Sequence, residues 1–110
     1  MPQNDNLIRS LPKPVLDSLK QQGLRIGIAR RRRRQTQDEL ARRMNVDVRT
    51  LRRVERGDPR VTLSAYAAAL WALGLIKQWS KVADPAEDVQ GQALALEELP
   101  QRVRRARSSF

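Results

Sequence analysis

Residues 36–57 read TQDELARRMNVDVRTLRRVERG, and they carry the strongest structural signals in the chain. Thr36 stands three residues before Glu39, which is the spacing of a capping box. In that motif the hydroxyl accepts a hydrogen bond from the N–H three residues later, and the glutamate reaches back. The sequence therefore predicts a helix that begins at Gln37. The apolar residues at helical spacing within it are Leu40, Ala41 and Met44.

The second half of the segment predicts another short helix after a tight turn. Asn45 tolerates the left-handed conformation that a tight helix exit needs, and Asp47 is a favourable N-cap residue. Apolar residues then recur at every third position until Gly57 ends the helix, and they are Val48, Leu51 and Val54. Two short helices joined by about three residues have the dimensions of a helix-turn-helix, whose second helix fits the major groove of DNA.

Arginine dominates the side of the second helix that faces away from the first. With Leu51 and Val54 directed inward, the outward-facing residues are Val48, Arg49, Arg52, Arg53 and Arg56. Four guanidinium groups on so short a helix repel each other unless phosphates or guanine edges neutralise them. A solvated helix face is the alternative, but the density and placement of the charges favour contact with a DNA groove.

The composition of the 110 residues agrees with a polyanionic partner. Twenty-two basic residues against twelve acidic ones give a net charge of +10, which points to nucleic acid or, as a second candidate, an anionic membrane. A chain with 40% hydrophobic and 4% aromatic residues suits packed helices better than a β-sandwich. The absence of Cys and His excludes thiolate nucleophiles, imidazole chemistry and the usual zinc sites.

Enzymatic, metal-dependent and membrane-spanning functions are therefore not expected. The acidic residues Asp84, Glu87 and Asp88 are the remaining candidates for a carboxylate site, but we interpret them as a solvated loop and expect no cofactor. The longest uninterrupted run of apolar residues and Gly is twelve residues, whereas a spanning helix needs roughly 20. The polar N-terminus contains no secretory signal, so we expect a bacterial cytoplasmic protein associated with the nucleoid.

The basic residues are concentrated around the two short helices. Residues 25–60 hold thirteen arginines against five acids, residues 61–100 are net acidic, and the last ten residues add four arginines. Five of the arginines are consecutive, from Arg30 to Arg34, so they would point all round a helix axis rather than form one face. Whether Arg33 or Arg34 contacts phosphate or solvent stays open.

Weaker signals predict the remaining helices. A helix is predicted from Pro14 to about Arg33, in which Gly23 and Gly27 mark either a kink or a break. Another begins after Thr62 and ends at Gly74; its wide apolar stripe predicts a largely buried helix. A shorter helix and a weak helical segment before a proline complete the pattern; they occupy residues 75–83 and 89–99.

This pattern predicts three regions. A flexible N-terminal arm spans residues 1–13, a helix-turn-helix domain spans 14–83, and a less ordered extension with a basic tail spans 84–110. Trp71 and Trp79 are interpreted as core residues, with a dimer seam as the alternative. The tail from Arg102 to Arg107 either wraps DNA or is disordered in isolation, and Phe110 is a candidate anchor for a partner pocket.

Residues in the first segment resemble the Cro-type (XRE-family) helix-turn-helix regulators. The resemblance is carried by Thr36-Gln37-x-Glu39-Leu40-Ala41, Val46, Thr50-Leu51 and Glu55-Arg56-Gly57. It spans about 24–75 and implies an all-α, five-helix Cro/lambda-repressor-like domain that binds a palindromic operator as a homodimer. The chain departs from the family at Asn45, where Gly is usual, and at Gln35, where an apolar residue is common.

The resemblance also implies roles for individual residues. Gln37 would contact phosphate, Arg52 and Arg56 would hold the DNA backbone, and Arg30 with Glu55 would form a structural ion pair. The residues expected to face base edges are Val48, Arg49 and Arg53. The implied DNA-binding set also includes Thr50.

Flanking strings resemble a narrower group, the HipB-like antitoxins. They are Pro12-x-Pro14-Val15, Glu55-Arg56-Gly57-Asp58-Pro59-x-Val61, Leu73-Gly74-Leu75, Ala83-Asp84-Pro85 and Leu99-Pro100-x-Arg102-Val103-Arg104. This resemblance implies an antitoxin that pairs with a HipA-like serine/threonine kinase toxin and represses their shared operon. A stand-alone XRE-family regulator is the alternative. A basic RNA-binding or membrane-surface protein is a third class, against which the short helices and the lack of a long basic amphipathic helix argue.

Overall fold

The computed structural model describes residues 5–108, with side chains for residues 5–99. The described chain is all-helical, as predicted, and divides between Lys77 and Gln78 into two compact units. Its helices are α1 (Asp5–Arg9), α2 (Lys13–Arg32), α3 (Gln37–Met44), α4 (Val48–Arg56), α5 (Leu63–Ala72), a 3-10 helix (Ile76–Lys81) and α6 (Val89–Ser108).

Side-chain caps fix the starts of α3 and α4. The Oγ1 atom of Thr36 accepts a hydrogen bond from the N–H of Glu39 at 3.1 Å, and Oδ1 of Asp47 accepts from the N–H of Arg49 at 2.8 Å. Asn45 ends α3 with φ 59°, in the left-handed region. The predicted bounds of α3, its exit and the N-cap of α4 are therefore confirmed. The turn between the two helices is residues 45–47.

The core of the first unit is aliphatic and lies among four helices. α4 packs against α2, α3 and α5, and α3 also packs against α5. Leu40 and Leu51 are fully buried, and each such side chain contributes about 1.5–3 kcal/mol to folding relative to an exposed one. The buried apolar residues are Ile26, Leu40, Ala41, Met44, Leu51, Val54, Ala65, Ala69, Ala72 and Leu73.

α2 is one continuous helix through Gly23, so the interpretation of that glycine as a possible break is wrong. A Cβ atom on Gly23 would lie 2.5 Å from the carbonyl oxygen of Val54. On the other side of the crossing, a Cβ atom on Gly57, which has φ 69°, would lie 2.5 Å from the carbonyl oxygen of Leu19. The two glycines are therefore needed for the close approach of α2 to the end of α4.

α5 corrects a second expectation, because only one of its sides is buried. Ala65, Ala69 and Ala72 face the core, whereas Leu63 and Trp71 are 70% and 65% exposed. Small alanine side chains let α5 approach α3 and α4 closely, and Tyr66 and Leu70 pack partly buried at the edge of the same core. The prediction that Trp71 is a core residue is wrong. Its alternative, a dimer seam, stays a prediction.

The ends of the described chain also differ from the sequence pattern. A short helix, α1, forms within residues 1–13, the region predicted to be a flexible arm. The segment after Gly74 forms a 3-10 helix rather than an α-helix, and Trp79 within it is half-buried. α6 continues through Pro100 instead of ending before it, although a proline inside a helix removes a backbone hydrogen bond and crowds the carbonyl group four residues earlier. The predictions for the side chains of 102–107 and for Phe110 lie outside the described residues.

Candidate nucleic-acid interface

The outer side of α4 presents four exposed arginines. Arg49, Arg52, Arg53 and Arg56 are all exposed, while Leu51 and Val54 on the inner side are buried. Since the inner side is packed against three other helices, the direction in which the arginines point is set by the core. The structure thus brings together the four arginines that the sequence predicted to face outward.

Arg49 is held at the start of α4 by Asp47. Its Nε lies 3.3 Å from Oδ1 of Asp47 and its Nη2 lies 3.5 Å from Oδ2, while the Arg49 side chain remains 79% exposed. The backbone N–H of Arg49, followed by its guanidinium group, lowers the pKa of Asp47. The carboxylate is therefore ionised at neutral pH. The pair restrains Arg49 without removing it from the surface.

A buried ion pair fixes α4 to the end of α2. The Nε of Arg30 lies 2.8 Å from Oε2 of Glu55, and Nη2 lies 3.1 Å from Oε1, with both side chains about nine-tenths buried. The Nη1 atom of Arg30 also donates to the carbonyl oxygen of Gln35 at 2.9 Å. The expected Arg30–Glu55 pair is confirmed, and it joins three segments behind the arginine surface.

Gln37 connects this buried pair to the surface. Its Nε2 donates to Oε1 of Glu55 at 3.3 Å, and its Oε1 accepts from Nε of Arg52 at 3.4 Å. Gln37 is the first residue of α3, where unpaired backbone N–H groups and the helix dipole favour an anion. Its amide therefore lies between a buried carboxylate and an exposed guanidinium group.

Val48 and Thr50 are less exposed than the arginines. Val48 is half-buried and packs against the core, so the expectation that it faces outward holds only for part of its side chain. Thr50 is also half-buried and lines a groove of about 560 Å³ together with Arg53. The groove has an apolar floor that includes Met44, Val46 and Val61.

Arg60 is a candidate interface residue that sequence reasoning missed. It is exposed in the loop between α4 and α5, lines the same groove as Arg53, and has its backbone N–H bonded to Oδ1 of Asp58 at 2.9 Å. Its guanidinium group lies 4.0 Å from the carboxylate of Asp5. The Asp58-Pro59 turn is the sequence signal that marks this position, but only the fold brings Arg60 beside α4.

The arginine run at the end of α2 divides as its helical spacing predicts. Arg30 is directed inward, whereas the next four arginines are exposed. Arg33 donates from Nη1 to the carbonyl oxygen of Ala29 at 2.9 Å, and Arg34 has φ 54° at the start of the loop. A phosphate contact by Arg33 or Arg34 stays a prediction.

Carboxylates of the 84–88 segment serve as local caps. Asp84 accepts from the N–H of Ala86, and Asp88 accepts from the N–H of Gly91, each at 2.9 Å. Within the described residues, no group of three or more Asp or Glu side chains is placed to hold a metal ion. In the same part of the chain, none of the helices combines the length and the apolar character that crossing a membrane requires.

Gln35 carries the one unsatisfied polar atom found among the buried side chains that the structure describes. Its Oε1 is inaccessible to solvent and has no hydrogen-bond partner. This residue precedes the N-cap of α3, the position at which an apolar side chain often packs against the fourth residue of the helix. Here that fourth residue is the buried Leu40. The polar amide is therefore a local cost to stability.

No protein-family model, no curated protein and no solved structure matches this chain.

Proposed function

We propose that this protein is a sequence-specific repressor that binds double-stranded DNA through a Cro-like helix-turn-helix formed by α3 and α4. The observation that carries the proposal is the two-sided character of α4. One side is locked into the core by Leu51 and Val54, and the other presents four exposed arginines. A nine-residue helix is about 13 Å long, which suits the major groove, about 12 Å wide.

The positions of the arginines suggest a division of roles. Arg49, at the N-terminal end of α4, and Arg53, one turn later, would read base edges, since arginine makes two hydrogen bonds to guanine. Asp47 would limit the number of orientations that Arg49 samples before binding. The half-buried Val48 and Thr50 would add contacts at the same base pairs.

Contacts with the DNA backbone would come from residues at the sides of the arginine-bearing face of α4. Gln37 and Arg52, which are hydrogen-bonded to each other, would contact adjacent phosphates, and Arg56 would hold the DNA backbone at the other end of α4. Arg60 extends the basic surface beyond the predicted set. Phosphate contacts of this kind supply affinity for any sequence, whereas the base contacts supply preference.

The repressor would act as a homodimer on a palindromic operator. The two copies of α4, about 34 Å apart, would enter successive major grooves on one face of the DNA. A HipA-like serine/threonine kinase toxin is the proposed partner, which would make the chain the antitoxin of a type II toxin–antitoxin operon. The alternative is a stand-alone regulator. Co-purification of a kinase encoded beside this gene would support the antitoxin hypothesis. Binding of the operator by this chain, with no kinase gene beside its own, would support the stand-alone regulator.

Selection of duplexes from a random DNA pool, followed by titration at several salt concentrations, tests the proposal. If each half-site neutralises about four phosphates, the slope of log K against log salt is expected near −7 for the dimer. Arg9→Ala serves as the control. It removes one positive charge from α1, away from the α4 arginines, and should change the slope of log K against log salt little. Failure to enrich any duplex sequence would contradict the proposal. An affinity for anionic vesicles or single-stranded RNA equal to that for duplex DNA would favour a basic RNA-binding or membrane-surface protein.

A further inference from the structure

The arginines on the outer side of α4 differ in what holds their side chains. Arg49 is paired with the carboxylate of Asp47, and Arg52 donates to the amide oxygen of Gln37. No partner of the Arg53 side chain is found among the described residues. Within that part of the chain, Arg49 is therefore the one arginine of α4 that a carboxylate holds.

The Asp47–Arg49 pair occupies one edge of the guanidinium group and leaves another edge open. Nε of Arg49 lies 3.3 Å from Oδ1 of Asp47, and Nη2 lies 3.5 Å from Oδ2, so the two carboxylate oxygens face the Nε–Nη2 edge. A guanidinium group is planar and carries five N–H donors in a fixed fork. The Nη1–Nη2 edge therefore remains available, and its two parallel donors match O6 and N7 of guanine.

Asp47 is itself held by the backbone at the start of α4. Its Oδ1 atom accepts from the N–H of Arg49 at 2.8 Å, and its φ of −65° and ψ of 144° are those of an N-cap residue. The carboxylate thus has a fixed position relative to the helix, and the Arg49 side chain samples fewer orientations than that of Arg53. A side chain that is restrained before binding loses less conformational freedom when it binds.

The carboxylate also favours one part of the DNA over another as the partner of Arg49. The Asp47 side chain is 55% exposed, so a phosphate brought against Arg49 would lie beside a negative charge. A guanine edge carries no net charge, and the cytosine paired with it presents an amino group that a carboxylate can accept. Arg49 is therefore suited to a base edge rather than to the DNA backbone.

We propose that Asp47 is a specificity-determining residue, which orients Arg49 so that the operator position read by Arg49 is guanine. The position read by Arg53, whose side chain is not held, tolerates other bases more readily. The inference rests on the proposed function, because it names the base that this part of α4 selects. Asp47 is a positioning residue, since it acts on the base through Arg49.

Selection of duplexes from a random DNA pool tests the inference when the full wild-type chain is compared with three variants. Arg49→Ala and Arg53→Ala identify the operator position that each arginine reads. Asp47→Ser separates the pairing from the cap, because serine is as good an N-cap as aspartate but is too short and uncharged to hold Arg49. Thermal unfolding followed by circular dichroism should show the same main transition for Asp47→Ser and wild type.

Titration with single-base variants of the selected duplex gives the expected magnitudes. The wild-type chain should prefer guanine at the Arg49 position by about tenfold or more, as a two-bond arginine contact supports. In Asp47→Ser this preference should fall to about threefold or less, because the restraint on Arg49 is lost. The preference at the Arg53 position should be the same in both proteins, which makes that position the internal control.

Nuclear magnetic relaxation of the arginine Nε–H groups supplies a second measurement that needs no DNA. In the free wild-type chain, the Nε–H group of Arg49 is expected to be more ordered than that of Arg53. In Asp47→Ser, the order of the Arg49 group should fall to the value of the Arg53 group. Equal order of the two groups in the wild-type chain would overturn the inference.

Three results of the selection would overturn the inference while the proposed function stands. The first is a selected sequence that Arg49→Ala leaves unchanged. The second is a base other than guanine at the position that Arg49 reads. The third is a guanine preference that is the same in Asp47→Ser and wild type. Enrichment of no duplex by the wild-type chain would instead contradict the proposed function, and the assignment of guanine would fail with it.

Discussion

Helices α4 and α6 both carry apolar side chains at helical spacing, but those side chains have opposite environments. Leu51 and Val54 of α4 are buried against three neighbouring helices, whereas Val89 and Leu96 of α6 are exposed. The arginines of α4 thereby acquire a fixed direction relative to the core. Amphipathic spacing therefore predicts that a side of a helix is covered, but not whether the same chain covers it.

The largest expected effect is on the buried side of α4. Leu51→Ala should lower the free energy of unfolding by about 2–5 kcal/mol, because it leaves a cavity in a closely packed core. Leu96→Ala is the matched change in α6 and should leave the unfolding of the α2–α5 core within about 0.5 kcal/mol, as exposed substitutions do. Urea denaturation of the two full-length variants would measure both. Equal losses would remove the distinction between the helices.

The crossing of α2 with α4 should tolerate no added side chain. Gly23→Ala is expected to destabilise the protein by about 1–3 kcal/mol or more, because its methyl group would meet backbone atoms rather than flexible side chains. Gly74→Ala is a useful control, since a Cβ atom there meets nothing within 4 Å and costs only the strain of φ 77°. A thermal melt in which Gly23→Ala equals wild type would show that α2 can move away from α4.

The exposed side of α4 should affect DNA binding rather than stability. Arg49→Ala or Arg53→Ala is expected to cost about 1–3 kcal/mol of operator affinity and to relax base preference at one position. Arg52→Ala should instead weaken all sequences alike, since it would remove a phosphate contact. Footprinting and titration with altered operators would separate the two patterns. Unchanged base preference in both base-reading variants would contradict the roles proposed for them.

A smaller, stabilising effect is expected next to α3. Gln35→Leu should raise the free energy of unfolding by about 1 kcal/mol, because it removes an unsatisfied buried oxygen and places an apolar side chain beside Leu40. The Arg30 hydrogen bond to the carbonyl oxygen of residue 35 would remain. Gln37→Leu is a contrasting control, because Gln37 has hydrogen-bond partners. A loss of stability in Gln35→Leu would indicate that the amide has a partner in solution.

The smallest effect concerns the cap of α4. The pKa of Asp47 is lower in the folded protein than its ordinary value of 3.8, so its capping contribution is present above that value and is lost as the pH falls through the lower, folded pKa. Asp47→Asn should therefore abolish the part of the pH dependence of α4 stability that comes from titration of this carboxylate. Amide exchange of α4 between pH 5 and strongly acidic pH would measure it. Identical acid profiles of the two proteins would contradict the assignment.

Local signals were sufficient to predict α3, the turn and the start of α4. Thr36, Asn45 and Asp47 act on backbone groups within three residues, so their effect can be read without knowledge of the rest of the fold. The incorrect predictions concern residues whose environment depends on distant parts of the chain. From the sequence alone, Gly23 is read as a possible helix breaker, whereas in the fold it allows α4 to approach α2 closely. The exposure of Trp71 depends on which side of α5 packs on α3 and α4.

Caps, residue spacing and charge act over a few residues. They were therefore enough to predict that the chain is helical, where the capped helices begin, and that arginines cluster around those helices. Three features became visible only in the folded chain. Gln37 lies between Glu55 and Arg52, Arg60 shares a groove with Arg53, and α5 buries alanines while it exposes a tryptophan. These features join residues far apart in the chain, and they follow from how closely the helices pack around Leu40 and Leu51.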